Sequence, residues 1–227
     1  MLVKKWMSKT VITADENVSM YDAINLLKQH NIRMLPVLSK KRLVGVVTDR
    51  DLKRASASDA TTLDVHELIY LTSRIKLKHI MTENPIIIPQ DFTVEETAEI
   101  LMSNKISGAP VMDSDGQIVG LITQSDLFKV LISLTGIGKR GVQFAFQLED
   151  RSGSIKEVAD IIRQYGGRMV SILTSYEQAP EGFRRVYIRI YGVDRPKLEE
   201  LKQALRQKAR LLYMVDHREN IREIYEA

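Results

Sequence analysis

Short β-branched runs alternate with helically spaced apolar residues along this chain, and over the first 135 residues they do so twice in the same order. Val11-Ile12-Thr13 and Ile86-Ile87-Ile88 have the composition of first strands. Ser19-x-x-Asp22 and Thr93-x-x-Glu96 follow with capping-box chemistry, and the apolar spacing through Ala23, Ile24 and Leu27 and through Ala98, Leu101 and Met102 predicts a helix after each. Leu35-Pro36-Val37-Leu38 and Ala109-Pro110-Val111-Met112 predict second strands, which polar turns at Ser39–Arg42 and Asp113–Gln117 reverse. The returning strands, Leu43–Val47 and Ile118–Ile122, end at Thr48 and Thr123, just before another helix. Each copy is thus a β-α-β-β-α unit. Between the copies, Thr62–Leu71 has helical apolar spacing and predicts a connecting helix.

The two copies are in register. Residues 4–38 align without gaps onto 78–112, and 43–53 onto 118–128 after one residue is added in a turn. Matches include Met7 with Met81, Ile12 with Ile86, Leu27 with Leu101, Pro36 with Pro110, Gly45 with Gly120 and Asp51 with Asp126. From Gly141 the pattern changes. Val142, Phe144, Phe146 and Leu148 alternate as a half-buried strand, a turn follows at Glu149–Ser154, and Ile155, Val158, Ala159 and Ile162 mark a helix stopped by Gly166-Gly167. Val170, Ile172 and Thr174 share a strand face, Gln178–Gly182 is a hairpin turn, and Val186, Ile188 and Ile190 form the partner strand. A helix capped at Asp194 carries Leu198, Leu201 and Leu205, and a last strand spans Arg210–Val215. The order is βαββαβ, that of a ferredoxin-like sandwich.

Two stretches carry a family resemblance: Ile-x-x-x-Pro-Val at Ile32–Val37 and Ile106–Val111, and Gly-h-h-Thr-x-x-Asp (h, apolar) at Gly45–Asp51 and Gly120–Asp126. Occurring twice each, in order, they resemble a tandem pair of CBS domains. Leu148–Ile155, with Asp150-Arg151-Ser152-Gly153-Ser154-Ile155 at the first strand-to-helix turn, resembles an ACT domain, although the usual proline is Ser152 here. The combined order is similar to the acetoin-utilisation AcuB family. These resemblances imply an α+β fold of α/β-type modules, two CBS units packed as a pair plus a ferredoxin-like βαββαβ ACT domain. The expected boundaries are 1–58 and 77–135 for the CBS units, 59–76 for the connecting helix, 136–140 for a hinge, 141–218 for the ACT domain and 219–227 for a tail.

CBS pairs bind adenine nucleotides or adenosyl ligands, and the resemblance implies two clefts, each taking its aspartate from one copy and its base-facing segments from the other. One combines Thr123, Ser125 and Asp126 with Ser8, Thr10, Ile12, Ile32, Arg33, Met34 and Pro36. The other combines Thr48, Arg50 and Asp51 with Thr82, Pro85, Ile86, Ile106, Ser107, Gly108, Ala109 and Pro110. A carboxylate near a helix start can accept from both ribose hydroxyls, and hydroxyls, helix-terminal amides and cations can meet phosphate. Two readings of Asp51 and Asp126 stay open, ribose ligand and helix N-cap. The copies differ, with Arg33 expected at the first cleft and Arg50 at a roomier second one. ATP, ADP, AMP and S-adenosylmethionine are the implied ligands. Two readings of Asp150–Ile155 also stay open, an amino-acid effector loop with Arg151 at its rim and a plain tight turn.

Composition excludes more than it selects. The chain has 227 residues and no cysteine, which removes disulfides, thiolate metal sites and cysteine nucleophiles and makes a reducing cytoplasm the expected compartment. Met1–Trp6 lacks a signal core, and no apolar run approaches the roughly 18 residues that span a bilayer. The net charge of +4 divides as +1 for residues 1–139 and +3 for 140–227, interspersed rather than patched, which argues against a nucleic-acid partner. Gly136-Ile137-Gly138-Lys139-Arg140-Gly141 spells G-x-G-x-x-G, but a helix precedes and a strand follows, the reverse of a dinucleotide loop, so a compliant joint between modules is expected. His30, His66, His79 and His217 lack metal-ligand spacing, and Asp113 and Asp115 sit in a hairpin turn. No catalytic constellation and no catalytic cofactor emerge. The expectation is a non-catalytic, homodimeric sensor for an adenosine-containing ligand; the rivals are a dimerisation scaffold with vacant clefts and an enzyme with an interface active site.

Overall fold

The computed structural model describes residues 1–55 and 65–225, which fall into two compact units, Met1–Phe128 and Lys129–Ala227. In the N-terminal unit the first repeat forms β1 (Ala14–Asp15), α1 (Met20–Gln29), β2 (Met34–Ser39), β3 (Arg42–Thr48) and α2 (Asp49–Ala55), and α3 (Val65–Arg74) packs on α1. Residues 59–64 of the expected connecting segment and the His66 side chain lie outside the described part. The second repeat forms β4 (Thr82–Glu83), β5 (Ile88–Pro89), α4 (Val94–Ser103), β6 (Gly108–Met112), β7 (Ile118–Thr123) and α5 (Gln124–Thr135). Local chemistry sets the helix starts. The Ser19 hydroxyl accepts the Asp22 N–H at 3.1 Å, and Thr93 and Glu96 close a reciprocal capping box, with the Thr93 N–H donating to Glu96 Oε2 at 2.7 Å.

The sheets of this unit are ordered β1-β2-β3-β4 and β5-β6-β7, with β1 parallel to β2, β5 parallel to β6, and the other pairs antiparallel. Strand β4 belongs to the second repeat in sequence yet pairs with β3 of the first, Thr82 opposite Val46 and Glu83 opposite Gly45. The same exchange recurs at Ser8, whose N–H and C=O both bond Leu121 of β7 at 2.9 Å. The exchange explains a departure from the sequence expectation. Val11–Thr13 and Ile86–Ile87 are not strands, and pairing is confined to Ala14–Asp15 and Ile88–Pro89. A segment hydrogen-bonded to the other repeat at one end reaches its own sheet only after several residues of crossing. The crossing is possible because Gly45 and Gly120 lack side chains. A Cβ on Gly120 would lie 2.4 Å from Met7 Sδ and 2.8 Å from the Ser8 carbonyl, and one on Gly45 2.6 Å from Met81 Sδ and 2.9 Å from the Thr82 carbonyl.

The C-terminal unit contains β8 (Val142–Glu149), α6 (Ser154–Gln164), β9 (Arg168–Ser175), β10 (Phe183–Tyr191), α7 (Leu198–Lys208), β11 (Arg210–Asp216) and β12 (Ile221–Ile224). The sheet is antiparallel in the order β12-β11-β8-β10-β9. One face buries Phe144, Phe146, Val186, Ile188 and Ile190 beneath Val158 and Ile162 of α6 and Leu201 and Leu205 of α7. Two corrections apply here. Residues 219–227 were expected as a tail, but Ile221–Ile224 pairs with β11, because Glu223 receives the buried Lys202 ammonium in two 2.8 Å bonds. Burial disfavours the Lys202 charge, yet the hydrogen bonds it donates to Glu199 and Glu223 leave its pKa raised.

The second correction concerns the expected hinge. The division between units falls inside α5, after Phe128, rather than at 136–140. The end of α5 is bound into the C-terminal unit: the Thr135 carbonyl accepts Arg189 Nε at 2.7 Å and Ser171 Oγ at 3.0 Å. Gly136 and Gly141 flank a single 3-10 turn, Ile137–Lys139, with Gly138 inside it. A Cβ on Gly141 would sit 1.8 Å from the Ile190 carbonyl, so this is a closely packed segment rather than a loose joint.

Gly120→Ala is expected to lower stability by about 1–3 kcal/mol through overpacking against backbone. The single tryptophan, Trp6, stands beside the exchanged Met7, so its fluorescence in a urea titration reports the loss. Gly138→Ala, where nothing lies within 4 Å of the added atom, should shift the midpoint negligibly; equal midpoints for both variants would contradict the close-approach argument.

Candidate functional site

The turn from β3 into α2 is built by a Thr-x-x-Asp clamp. The Thr48 N–H and hydroxyl both donate to Asp51 Oδ2, at 2.9 and 2.6 Å, and the Asp51 N–H returns to Thr48 Oγ1 at 3.4 Å. Thr123 and Asp126 repeat the pattern at 3.0, 2.7 and 3.3 Å. The threonine stands at the helix cap and the aspartate at the third helical position, so neither aspartate is itself the N-cap. Capping occupies one carboxylate oxygen. Asp51 Oδ1 has no hydrogen bond among the described residues, which leaves an acceptor on a side chain already held in place.

Asp51 lines a cavity of about 790 Å³ to which both repeats contribute. From the first repeat come Thr48, Arg50 and Asp51; from the second, Thr82, Pro85, Ile86, Ile106, Ser107, Gly108 and Pro110. Ala109 was expected with them but is buried. It lies between the lining residues Gly108 and Pro110, and strand alternation turns it to the core. Arg33 and Met34, expected in the other cleft, line this cavity too, because Met34 is paired opposite Thr48 and the Asp49 N–H bonds the Arg33 carbonyl at 3.1 Å. The sequence reading missed Val46, Asp49, Lys53, Arg54, Asn84, Lys105 and Gln124 on the same wall. Lys53, Arg54 and Lys105 could have been found, since each lies within a few residues of a named motif.

The cavity is chemically divided. Met34, Val46, Pro85, Ile86, Ile106 and Pro110 are apolar, whereas Arg33, Arg50, Lys53, Arg54 and Lys105 bring five cations against Asp49 and Asp51. Lys53 pairs with Asp49 at 3.0 Å. Arg33, Arg50, Arg54 and Lys105 carry no ion pair among the described residues.

The remaining residues of the other expected set are placed less evenly. Ser8 is exposed and backbone-paired to Leu121, Thr10 and Ser125 are exposed, Thr123 is half-buried and Asp126 is buried. Ile12 and Ile32 pack against the first repeat's core and Pro36 is buried. Met34 and Val46 join Leu121 in a small buried cluster with Val11 beside it, which fixes the two repeats against each other. The two aspartates thus differ, one half-buried on a large cavity and one buried.

In the C-terminal unit, Asp150–Ile155 forms the turn into α6. Arg151 donates from Nε to Glu149 at 2.8 Å and from both terminal nitrogens to Glu157 at 2.8 and 2.9 Å, beside a cavity of about 200 Å³. Asp150 accepts from Tyr176 at 3.4 Å, Ser152 and Gly153 are exposed, and Ser154 and Ile155 pack inward. The loop's only cation is therefore engaged internally. The two bonds from Arg151 to Glu157, with one from Lys208, hold the Glu157 carboxyl well below the usual range, at about 2.

A family model described as the CBS domain matches residues 3–58 and 77–133. A CBS domain-containing protein of Dictyostelium discoideum is 32% identical over 134 residues, 59% of this chain and 92% of that protein. The L-aspartate semialdehyde sulfurtransferase of Methanocaldococcus jannaschii is 33% identical over 130 residues, which is 57% of this chain but only 23% of that enzyme. Among solved structures, a CBS-pair protein of Arabidopsis thaliana is similar with a TM-score of 0.51 at 27% identity, covering 58% of this chain and 94% of that one. A proposed acetoin utilization protein (AcuB) of Vibrio cholerae is similar with a TM-score of 0.50 at 26% identity, covering 61% and 95%.

The Arg151 clamp has a definite pH window. Glu157 is depressed in the folded state, so its contribution is complete above about pH 4.5 and fades as pH falls toward about 2. Carboxyl NMR titration should give a Glu157 midpoint near 2, moving upward in Arg151→Gln. A midpoint unchanged by that substitution would remove Arg151 as the principal cause.

Proposed function

This chain belongs to the CBS-domain family, and from that premise we propose that its N-terminal unit is a non-catalytic sensor for a phosphate-bearing adenine nucleotide. The observation that carries this reading is the divided cavity at Asp51. Its volume of about 790 Å³ lies within the range of about 300–1,000 Å³ usual for ligand sites. Its apolar part, with Ile86, Ile106 and Pro110, suits a purine ring. The open Oδ1 of Asp51 suits a ribose diol. The surplus of cations at Arg33, Arg50, Arg54 and Lys105 suits phosphate. That surplus favours ATP, ADP or AMP over S-adenosylmethionine, whose sulfonium adds positive charge. A second site at Asp126, with Thr123, Ser125 and Ser8 around it, is the weaker one in this reading, since Asp126 is buried.

The C-terminal unit is read as an ACT-type module, supported by its βαββαβ order and by the Asp150–Ile155 turn. Its role is dimerisation in preference to amino-acid sensing, because Arg151 is already engaged by Glu149 and Glu157. Homodimerisation is supported further by Leu131, Ile132 and Leu134 of α5, in the same unit, whose side chains are exposed. Nucleotide binding would regulate by its differential affinity for two arrangements of the protein. The Vibrio cholerae likeness supports a link to acetoin utilisation, the cysteine-free composition supports a cytoplasmic setting, and no helix among the described residues is long and apolar enough to cross a membrane.

Calorimetry with ATP, ADP, AMP and S-adenosylmethionine should show the phosphate-bearing ligands binding more tightly. Asp51→Asn should weaken them about tenfold or more, with a smaller effect from Asp126→Asn. No heat above background for any of the four, in protein whose circular dichroism is native, would leave a scaffold with vacant clefts. Native mass spectrometry should show a dimer that Ile132→Glu shifts toward monomer; a monomer at all concentrations removes the dimer reading.

A further inference from the structure

The C-terminal unit holds a second cavity, of about 300 Å³, whose charged lining side chains are all cationic. Lys139 and Arg140 reach it from the turn before β8, Arg195 from the turn before α7, and Arg218 from the β11–β12 connection. Val142, Val193 and Leu198 supply an apolar floor, and among the described residues no carboxylate lines it. It stands at the Val142 end of β8, whereas the Asp150–Ile155 turn follows the other end, about 23 Å away at roughly 3.3 Å per residue.

The cations are arranged rather than merely numerous. Asp216, fully buried, pairs with Arg195 through both carboxylate oxygens, and its Oδ1 also accepts the backbone N–H groups of Arg218 at 2.9 Å and Glu219 at 3.2 Å. One inward-facing carboxylate thus fixes a guanidinium on the cavity wall and shapes the turn that presents another. Arg140 has no side-chain partner among the described residues. Lys139 has only the Tyr191 ring, 6.0 Å from its nitrogen. Arg218 approaches Glu219 no closer than 3.7 Å, with both side chains largely exposed. Four cations face so small a space with one carboxylate behind them, which leaves a surplus of positive charge that an anion can meet.

We propose that this cavity binds a compact multivalent organic anion, a di- or tricarboxylate or a small phosphate ester. The charges would meet Arg140, Arg195 and Arg218, and a short carbon skeleton would rest on Val142, Val193 and Leu198. Such a site would give the protein a second input, separate from the Asp51 cavity and independent of the nucleotide reading. It also assigns a role to the positive charge of the last third of the chain.

Calorimetry on the full chain with citrate and with pyrophosphate provides the test. At least one should bind saturably, at one site per chain, with affinity falling steeply as salt is raised. Arg140→Gln and Arg218→Gln should each weaken that binding about tenfold, and the same loss should appear in an Arg50→Gln, Arg54→Gln background, where the Asp51 cavity no longer offers its own cations to the probe. Citrate alone assigns a carboxylate ligand and pyrophosphate alone a phosphate ester. In the absence of either, Arg140→Gln should keep or raise the melting temperature, since it relieves repulsion, which a structural arginine would not do. Failure of both probes to saturate, or affinity that follows Arg50 and Arg54 instead of Arg140 and Arg218, overturns the proposal.

Discussion

The N-terminal unit depends on two places where one repeat's backbone lies directly on a glycine of the other. At Gly45 and Gly120 the incoming Met81-Thr82 and Met7-Ser8 segments come so near that even one added carbon would collide with a carbonyl. The exchange carries Thr82, Pro85 and Ile86 to the side of the first repeat where Thr48 and Asp51 stand, and so creates a cavity that neither repeat could enclose alone. The glycines also account for the brevity of β1 and β5, since the preceding residues are engaged elsewhere.

Within that frame, the Thr-x-x-Asp clamp does two jobs with different atoms. One aspartate oxygen satisfies the threonine N–H and hydroxyl at the start of the helix, which would otherwise lack partners. The other, at Asp51, is presented by a side chain whose rotamer capping has already restricted, so a ligand that uses it loses little further entropy. Capping and ligand binding are therefore compatible at this aspartate, because they call on different oxygens.

The C-terminal unit uses buried charge to tie its periphery to its core. Lys202 draws β12 onto the sheet through Glu223, and Arg189 holds the end of α5 through Nε while one terminal nitrogen donates to Gln143, which in turn donates to Tyr213 at 3.0 Å. Burial lowers the Arg189 pKa from its ordinary value without threatening its charge, given how far above neutrality an arginine titrates. Asp216 acts likewise at the cationic cavity. Each of these groups is costly to leave unpaired, so each specifies where a neighbouring turn or strand must lie.

The sequence by itself determined the repeat, the helix starts at Ser19 and Thr93, and the order of elements from β8 to β11 in the last third. These rest on local chemistry: apolar periodicity, capping side chains and turn residues act over a few positions and read directly from the chain. Tertiary structure decided the rest. That Ile86–Ile87 would cross rather than pair, that Ala109 would face inward between two lining residues, and that Arg33 would share a wall with Arg50 all follow from strand register, which links residues far apart in sequence. The strand at Ile221–Ile224 and the convergence of Lys139, Arg140, Arg195 and Arg218 were likewise hidden, because a buried lysine's partner and a cavity's charge are set by three-dimensional neighbours that no linear spacing encodes.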